Sequence, residues 1–213
     1  MHFHIVTIFP QMFASFLGES IIKRALVNKK IKVSLYDIRD FADNKHRKVD
    51  DRPYGGGPGM VLSLEPIVKA VLKAVGRKTG VKIYITAPRG RKFTNENARD
   101  LVEGAKHVVI ICGRYEGIDA RVKKTLSAVE VSIGNYTLTG GELPAMVIMD
   151  AIARQVPGVL GNALSIEEKR TASREVYTRP EVFTYKKRSF RVPKVLLSGH
   201  HRKQEEWRKD RAR

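Results

Sequence analysis

Cysteine is almost missing: Cys112 is the only one in 213 residues. A lone thiol excludes an intramolecular disulfide framework and a zinc site built from several cysteines. It suits a reducing compartment. Long apolar runs are missing as well, so no segment reads as a membrane span. The opening MHFHIVTIFPQMF lacks the basic stretch that starts a secretion signal. Acidic residues are scarce, with 22 Asp and Glu against 40 Lys and Arg and a formal net charge of +18. The expectation is a cytoplasmic protein whose charge seeks a polyanion, most simply nucleic acid. Two phosphate fingerprints are also lacking, G-x-G-x-x-G and G-x-x-x-x-G-K-[ST]. That takes weight from NAD and ATP and gives it to a cofactor read by backbone groups.

What is present is an ordinary core. Hydrophobic residues make up 42% and aromatics 8%, enough to exclude wholesale disorder. Phe3–Phe9, Ile31–Tyr36, Val81–Thr86, His107–Cys112 and Val129–Ile133 read as strands, most of them nearly continuous apolar runs. Such runs suit a mostly parallel sheet covered on both faces. Helical spacing marks Gln11–Val27, Leu64–Val75 after a Ser63 cap, Asn95–Leu101 and Glu142–Gln155. The last carries Leu143, Met146, Val147 and Ala151 on one face. Alternating strands and helices predict an α/β domain over residues 1–161, with the sheet flanked by helices. Residues 162–176 read as a mobile linker, and 177–213 as a short basic segment with a helix starting near His201. From Ser165 onward fifteen Lys and Arg face seven Asp and Glu.

Three successive strands end in loops of small residues: Thr86–Gly90, Cys112–Gly117 and Ser132–Gly141. In open α/β sheets ligands bind beyond the carboxyl ends of strands, and glycine lets backbone groups approach them closely. The three loops are therefore expected to line one small-molecule pocket. A fourth loop, Asp50–Met60 (DDRPYGGGPGM), follows the basic cluster Lys45–Lys48. Cations beside a glycine-rich loop with an exposed Tyr suit phosphate contact and base stacking. Cys112, at a strand end, reads as a small buried hydrophobe rather than a reactive thiol.

Six stretches in order carry a resemblance: DDRPYGGGPGM, CGRYEGID at 112–119, SIGNYTLTGGELPA at 132–145, PGVLG at 157–161, YTRPEV at 177–182 and LLSGHH at 196–201. Together the chain resembles the bacterial tRNA (guanine-N1)-methyltransferase family. The resemblance implies transfer of a methyl group from S-adenosylmethionine to N1 of the guanosine immediately 3′ of the anticodon. It implies a SPOUT-like fold, in which the α/β domain ends in a C-terminal trefoil knot, although true knots are rare in general. It also implies a homodimer with shared active sites and a helical C-terminal domain that grips the anticodon arm. Here that domain is expected to be short and truncated, with its basic tail adding phosphate contacts.

By motif, the resemblance assigns cofactor binding to Thr86, Ala87 and Pro88, and to Gly113, Tyr115, Glu116 and Gly117. From the third loop it takes Ile133, Gly134, Asn135, Tyr136, Thr137, Leu138, Gly140, Gly141 and Pro144. Asn135 stands where the family usually has Asp, keeping the shape and one acceptor but losing the charge. Arg154 matches the family's catalytic arginine. Guanine N1 carries a proton, so methylation needs a base and a group that stabilises charge on O6. The family draws its base from a linker Asp, yet residues 162–176 contain none. Glu168 or Glu167 lies nearest the expected place. RNA contacts are expected from His46, Asp50, Arg52, Tyr54, Tyr177, Arg179 and His201. No metal site is expected from the residues, because no carboxylate cluster specifies one; magnesium enters only through the family. A knotted methyltransferase of another RNA, and an RNA-binding member without catalysis, are the alternatives.

Overall fold

In the computed structural model, residues 1–161 and 175–211 are described. The chain divides into two compact units, Met1–Gly161 and Asn162–Arg213. Glu167, Glu168 and most of the expected linker lie outside the described residues.

The first unit holds β1 (His2–Thr7), α1 (Ala14–Gly18), α2 (Ser20–Val27), β2 (Lys32–Asp37), the two-residue strands β3 (Asp50–Asp51) and β4 (Val61–Leu62), and α3 (Leu64–Val75). It continues through β5 (Val81–Lys92), α4 (Asn95–Gly104), β6 (His107–Cys112), α5 (Arg121–Thr125), β7 (Val129–Ser132) and α6 (Glu142–Ala153). Five strands form one sheet in the order β2-β1-β6-β5-β7, and every pairing is parallel. The sheet is buried on both faces because alternate side chains feed two cores. Phe3, Ile5, Val108 and Ile110 pack with Phe13, α2, α4 and α6. Val6, Ile8, Val109 and Ile111 pack with α3 and Val122 of α5. This is the α/β architecture with a mostly parallel sheet that the alternating pattern predicts.

Several local expectations change. The single helix predicted over Gln11–Val27 is a 3-10 turn at Pro10–Phe13 followed by α1 and α2. The chain breaks after Gly18: Glu19 is extended and Ser20 has φ of +52°. β5 overruns its predicted end at Thr86. Its register on β7 restarts at Arg91, so residues 87–90 stand out of the ladder as a bulge. The restart requires glycine: a Cβ on Gly90 would lie 2.5 Å from the Val131 nitrogen. α4 runs on to Gly104, started by a capping box in which Thr94 and Asn97 exchange side-chain bonds. Ser63 stands at the N-cap of α3 but makes no side-chain cap bond.

The predicted face of α6 is also corrected. Ala145, Ile148, Met149, Ile152 and Ala153 are buried, whereas Leu143 and Val147 are half exposed. The helix is apolar nearly all round, so periodicity alone does not choose its buried side.

The second unit, described by itself, contains β8 (Val182–Tyr185), β9 (Arg188–Arg191), α7 (Lys194–Leu197) and α8 (His201–Asp210). β8 and β9 form an antiparallel hairpin that the expected short helical segment did not include, while the helix expected near His201 is α8. Its two turn residues, Lys186 and Lys187, have φ of +46° and +62°. A two-residue hairpin of this kind favours Asn-Gly, so a pair of lysines carries no sequence signal for it. No described helix is long and apolar enough to cross a membrane.

Candidate functional site

The three glycine loops converge, the bulge within β5 meeting the loops at the carboxyl ends of β6 and β7. Gly141 N–H donates to the Gly113 carbonyl at 2.8 Å. Gly113 N–H donates to Thr86 Oγ1 at 3.2 Å, and that hydroxyl donates to the Ile111 carbonyl. One bond thus ties each loop to the next. The approach of the first and third loops leaves no room for a side chain. A Cβ on Gly141 would meet Thr86 Oγ1, and would lie 2.6 Å from the Gly113 nitrogen.

Between the loops lies a cavity of about 540 Å³, within the range for a small-molecule site. Fourteen of the sixteen residues assigned by motif line it: Thr86, Ala87, Pro88, Gly113, Tyr115, Glu116, Gly117, Ile133, Tyr136, Thr137, Leu138, Gly140, Gly141 and Pro144. Gly134 and Asn135 do not. Arg114, Arg89, Lys123, Asp119 and Glu130 also line it, and none of these was singled out from sequence. Arg114 had a signal, since it sits inside CGRYEG. Its Nε donates to Glu142 Oε2 at 2.9 Å, a terminal nitrogen donates to the Thr139 carbonyl, and the guanidinium lies 4.7 Å from the Phe9 ring centre. Glu142 is fully buried at the first position of α6 and also accepts from Thr7 Oγ1 at 2.7 Å. Cys112 is fully buried, and its thiol is pushed up by burial first and by Glu142 second. It is a packed hydrophobe.

The glycine-rich loop roots on this pocket. β3 and β4 pair at its base, and Gly55, Gly56, Gly57 and Gly59 all take positive φ, which glycine adopts without strain. Glu116 N–H donates to the Met60 carbonyl at 3.0 Å, and Leu62 N–H to the Gly117 carbonyl. A Cβ on Gly59 would lie 2.6 Å from the Glu116 side chain. Asp50 faces Tyr115, whose phenol is raised by burial first and then by the Asp50 carboxylate. At the tip Tyr54 is fully exposed, and Arg52 and His46 are exposed as well. The structure therefore brings Asp50 to the cavity's rim and leaves Tyr54 presented to solvent. Within the basic cluster, Arg47 pairs with Asp40 and Lys48 with Asp51.

Arg154 caps the carboxyl end of α6, with its N–H bonded to the Asp150 carbonyl. It does not line the cavity. Pro144, which does, lies ten residues back, about 15 Å along the helix. In the second unit, Tyr177 donates to Glu175 at 3.0 Å and its ring lies 6.2 Å from that of Trp207. Tyr177 and Arg179 border one groove with Glu181, Val192, Leu196 and Leu197. His201 is exposed at the start of α8.

A second cluster was not anticipated. His2 and His4 point to the same side of β1, and His107 pairs with His2 across the β1–β6 ladder. Burial first, then nearby positive and histidine side chains, lower His2 and His4 to about 4. The His-x-His alternation within a strand was the available signal. It becomes a cluster only once β6 is registered on β1.

A family model described as tRNA (Guanine-1)-methyltransferase TrmD matches residues 1–213. The chain is similar to proteins named tRNA (guanine-N(1)-)-methyltransferase in several organisms. It is 48% identical to that of Pelotomaculum thermopropionicum over 216 residues, 98% of this chain and 84% of the relative. For Geobacillus kaustophilus the identity is 46%, covering 98% of this chain and 85% of the relative. For Geobacter sulfurreducens it is 45%, covering 100% and 86%.

Proposed function

The chain belongs to the tRNA (guanine-1)-methyltransferase family, and we propose that it moves a methyl group from S-adenosylmethionine to N1 of the guanosine immediately 3′ of the anticodon in tRNA. One observation carries the reading beyond the family: the three glycine loops enclose a single cavity, and the loop that presents Tyr54 is rooted on its rim. A methyl-donor site and an RNA-facing loop thus share Glu116 and Gly117.

The lining suits S-adenosylmethionine. It offers a nucleoside-sized space, the backbone of Gly140, and hydroxyls at Thr137 and Thr139, while Gly113, Gly141 and Thr86 hold the loops together. Apolar walls come from Ile133, Leu138 and Pro144. When bound, the donor supplies an electrophilic methyl on a sulfonium. The chain's own residues must position guanine, remove its N1 proton and stabilise the charge that develops on O6. We assign the O6 contact to Arg154 and the base to Glu168 or Glu167. Tyr54 is assigned to base stacking, and Asp50 to the guanine amino group. Arg52, His46, Tyr177, Arg179 and His201 are assigned to the anticodon arm.

Distance supports a homodimer. Arg154 is about 15 Å along α6 from the cavity its own chain lines, so a second copy is the natural source of that arginine. Leu143 and Val147, half exposed on α6, give such a copy an apolar face. A trefoil knot is likewise part of this reading. Its support is the close crossing of the 86–90, 112–117 and 132–141 loops, where Gly141 lies against Thr86 and Gly113. Magnesium, which the family suggests, we assign to the tRNA phosphates; the described residues gather no carboxylate cluster. A cytoplasmic location follows from the substrate.

The relatives' names favour tRNA over another RNA and catalysis over binding alone. The test is incubation of the purified chain with labelled S-adenosylmethionine and a tRNA transcript, followed by digestion to nucleosides. Label must run with N1-methylguanosine.

A further inference from the structure

The three histidines at the amino-terminal end of the sheet stand apart from the methyl-transfer pocket. From His107 to Gly113, β6 runs six residues, about 20 Å at the usual strand rise. One ring nitrogen from each of His2, His4 and His107 lies within 4.8 Å of the other two. We propose that His2, His4 and His107 form a binding site for a divalent transition metal of the zinc class, linking β1 to β6.

The geometry is that of ligands before a small closure. His4 Nε2 and His107 Nδ1 are 3.2 Å apart. Two nitrogens at a zinc distance of about 2.0–2.1 Å, set at a tetrahedral angle, are separated by about 3.3 Å. The outer nitrogens already have orienting partners. His4 Nδ1 meets the Tyr36 hydroxyl at 3.2 Å, and His2 Nε2 meets Ser34 Oγ at 2.9 Å. Metal-bound histidines characteristically hold such a bond on their second nitrogen, which fixes the tautomer and ring orientation. That leaves His2 Nδ1, His4 Nε2 and His107 Nδ1 as the ligating set.

The donor set chooses the ion. Three neutral imidazoles suit zinc, copper, nickel or cobalt, whereas magnesium and calcium take oxygen. His4 is 1% exposed, while His2 and His107 are partly exposed. The site is therefore held by the sheet but open on one side, where water completes the coordination. Lys32 and Lys78 lie close enough to act on the rings, and their charge weakens binding without removing a ligand. Bound metal stabilises the folded chain because it pins strands that are separate in sequence.

The experiment uses the full chain stripped with a chelator and titrated with Co²⁺, then Zn²⁺. The expected result is a visible d–d absorption that saturates at one Co²⁺ per chain, is displaced by Zn²⁺, and accompanies a rise in melting temperature. His2→Gln and His107→Gln, at partly exposed positions, abolish both signals. Tyr36→Phe lowers Co²⁺ affinity about 10–100-fold, and His200→Gln changes nothing. Absence of the band, or its survival in His107→Gln, overturns the proposal and leaves a hydrogen-bonded row of imidazoles. Because the readouts are spectroscopic and thermal, they stand whether or not methyl transfer is found.

Discussion

Arg114 Nε donates to the fully buried carboxylate of Glu142 at 2.9 Å, bracing the loop after β6 against the first turn of α6. Removing one partner of such a pair leaves an uncompensated buried charge, which costs about 3–5 kcal/mol. Arg114→Ala is therefore expected to destabilise the chain by about 3 kcal/mol and to weaken donor binding, since both segments line the cavity. Chemical denaturation and a calorimetric titration with S-adenosylmethionine measure the two effects. Breaking the exposed pair Arg202–Glu206 should leave the melting temperature unchanged.

Glycine at 141 is needed for space. A Cβ there collides with backbone at Gly113 and Cys112 as well as with Thr86. Gly141→Ala should cost on the order of 1–3 kcal/mol and abolish the melting shift produced by S-adenosylmethionine. At Gly134 the three atoms nearest such a Cβ all belong to the Tyr136 side chain, which can swing aside. Gly134→Ala should keep most of the shift. Equal loss in both variants would mean that the crossing of the first and third loops is not what shapes the pocket.

Arg154 and the two linker glutamates test the chemistry. Arg154→Ala should lower kcat by about 100-fold or more, the usual cost of losing a charge-stabilising donor, with donor affinity nearly unchanged. Glu168→Gln and Glu167→Gln should each slow single-turnover methylation, the double variant most. Undiminished single-turnover rates in all three glutamate variants would remove them as bases.

Stability should depend on pH through His4, which is buried, and His2, which is partly so. In chelated protein, His2 and His4 are lowered to about 4 from an ordinary 6.5. Burial is the largest cause for both; Lys32, Lys78 and the His107 ring act on both, the amino terminus on His2, and the His2 ring on His4. A base held unprotonated in the fold is protonated more easily when unfolded. Its stabilising contribution is complete above pH 6.5 and is lost as pH falls from 6.5 toward 4. Urea midpoints across that window should decline, and less so in His2→Gln. A flat profile would contradict the desolvation of these rings in the fold.

How far the sequence spoke follows from locality. β6 keeps its predicted bounds, His107–Cys112, because an unbroken apolar run between charged and glycine residues has one good solution. α3 keeps its predicted bounds, Leu64–Val75, for a different reason: its apolar residues recur at helical spacing between Ser63 and Gly76. The loops at strand ends were legible because parallel sheets place ligands there. Features that need a partner were not. The overrun of β5 depends on Gly90 lying against Val131, the buried side of α6 on what covers it, and the β8–β9 hairpin on two lysines in a glycine-like turn. Arg114 reads as one more surface cation until Glu142, 28 residues away, is folded beneath it. The three histidines share a site only through the register of β1 on β6.

The central claim is site-specific methyl transfer. Two tRNA transcripts, identical except for G or A immediately 3′ of the anticodon, are incubated with the purified chain and labelled S-adenosylmethionine. The account predicts label in the G transcript, at N1 of that residue, and none in the A transcript. Equal labelling of both, or tight binding with no transfer to either, would contradict it.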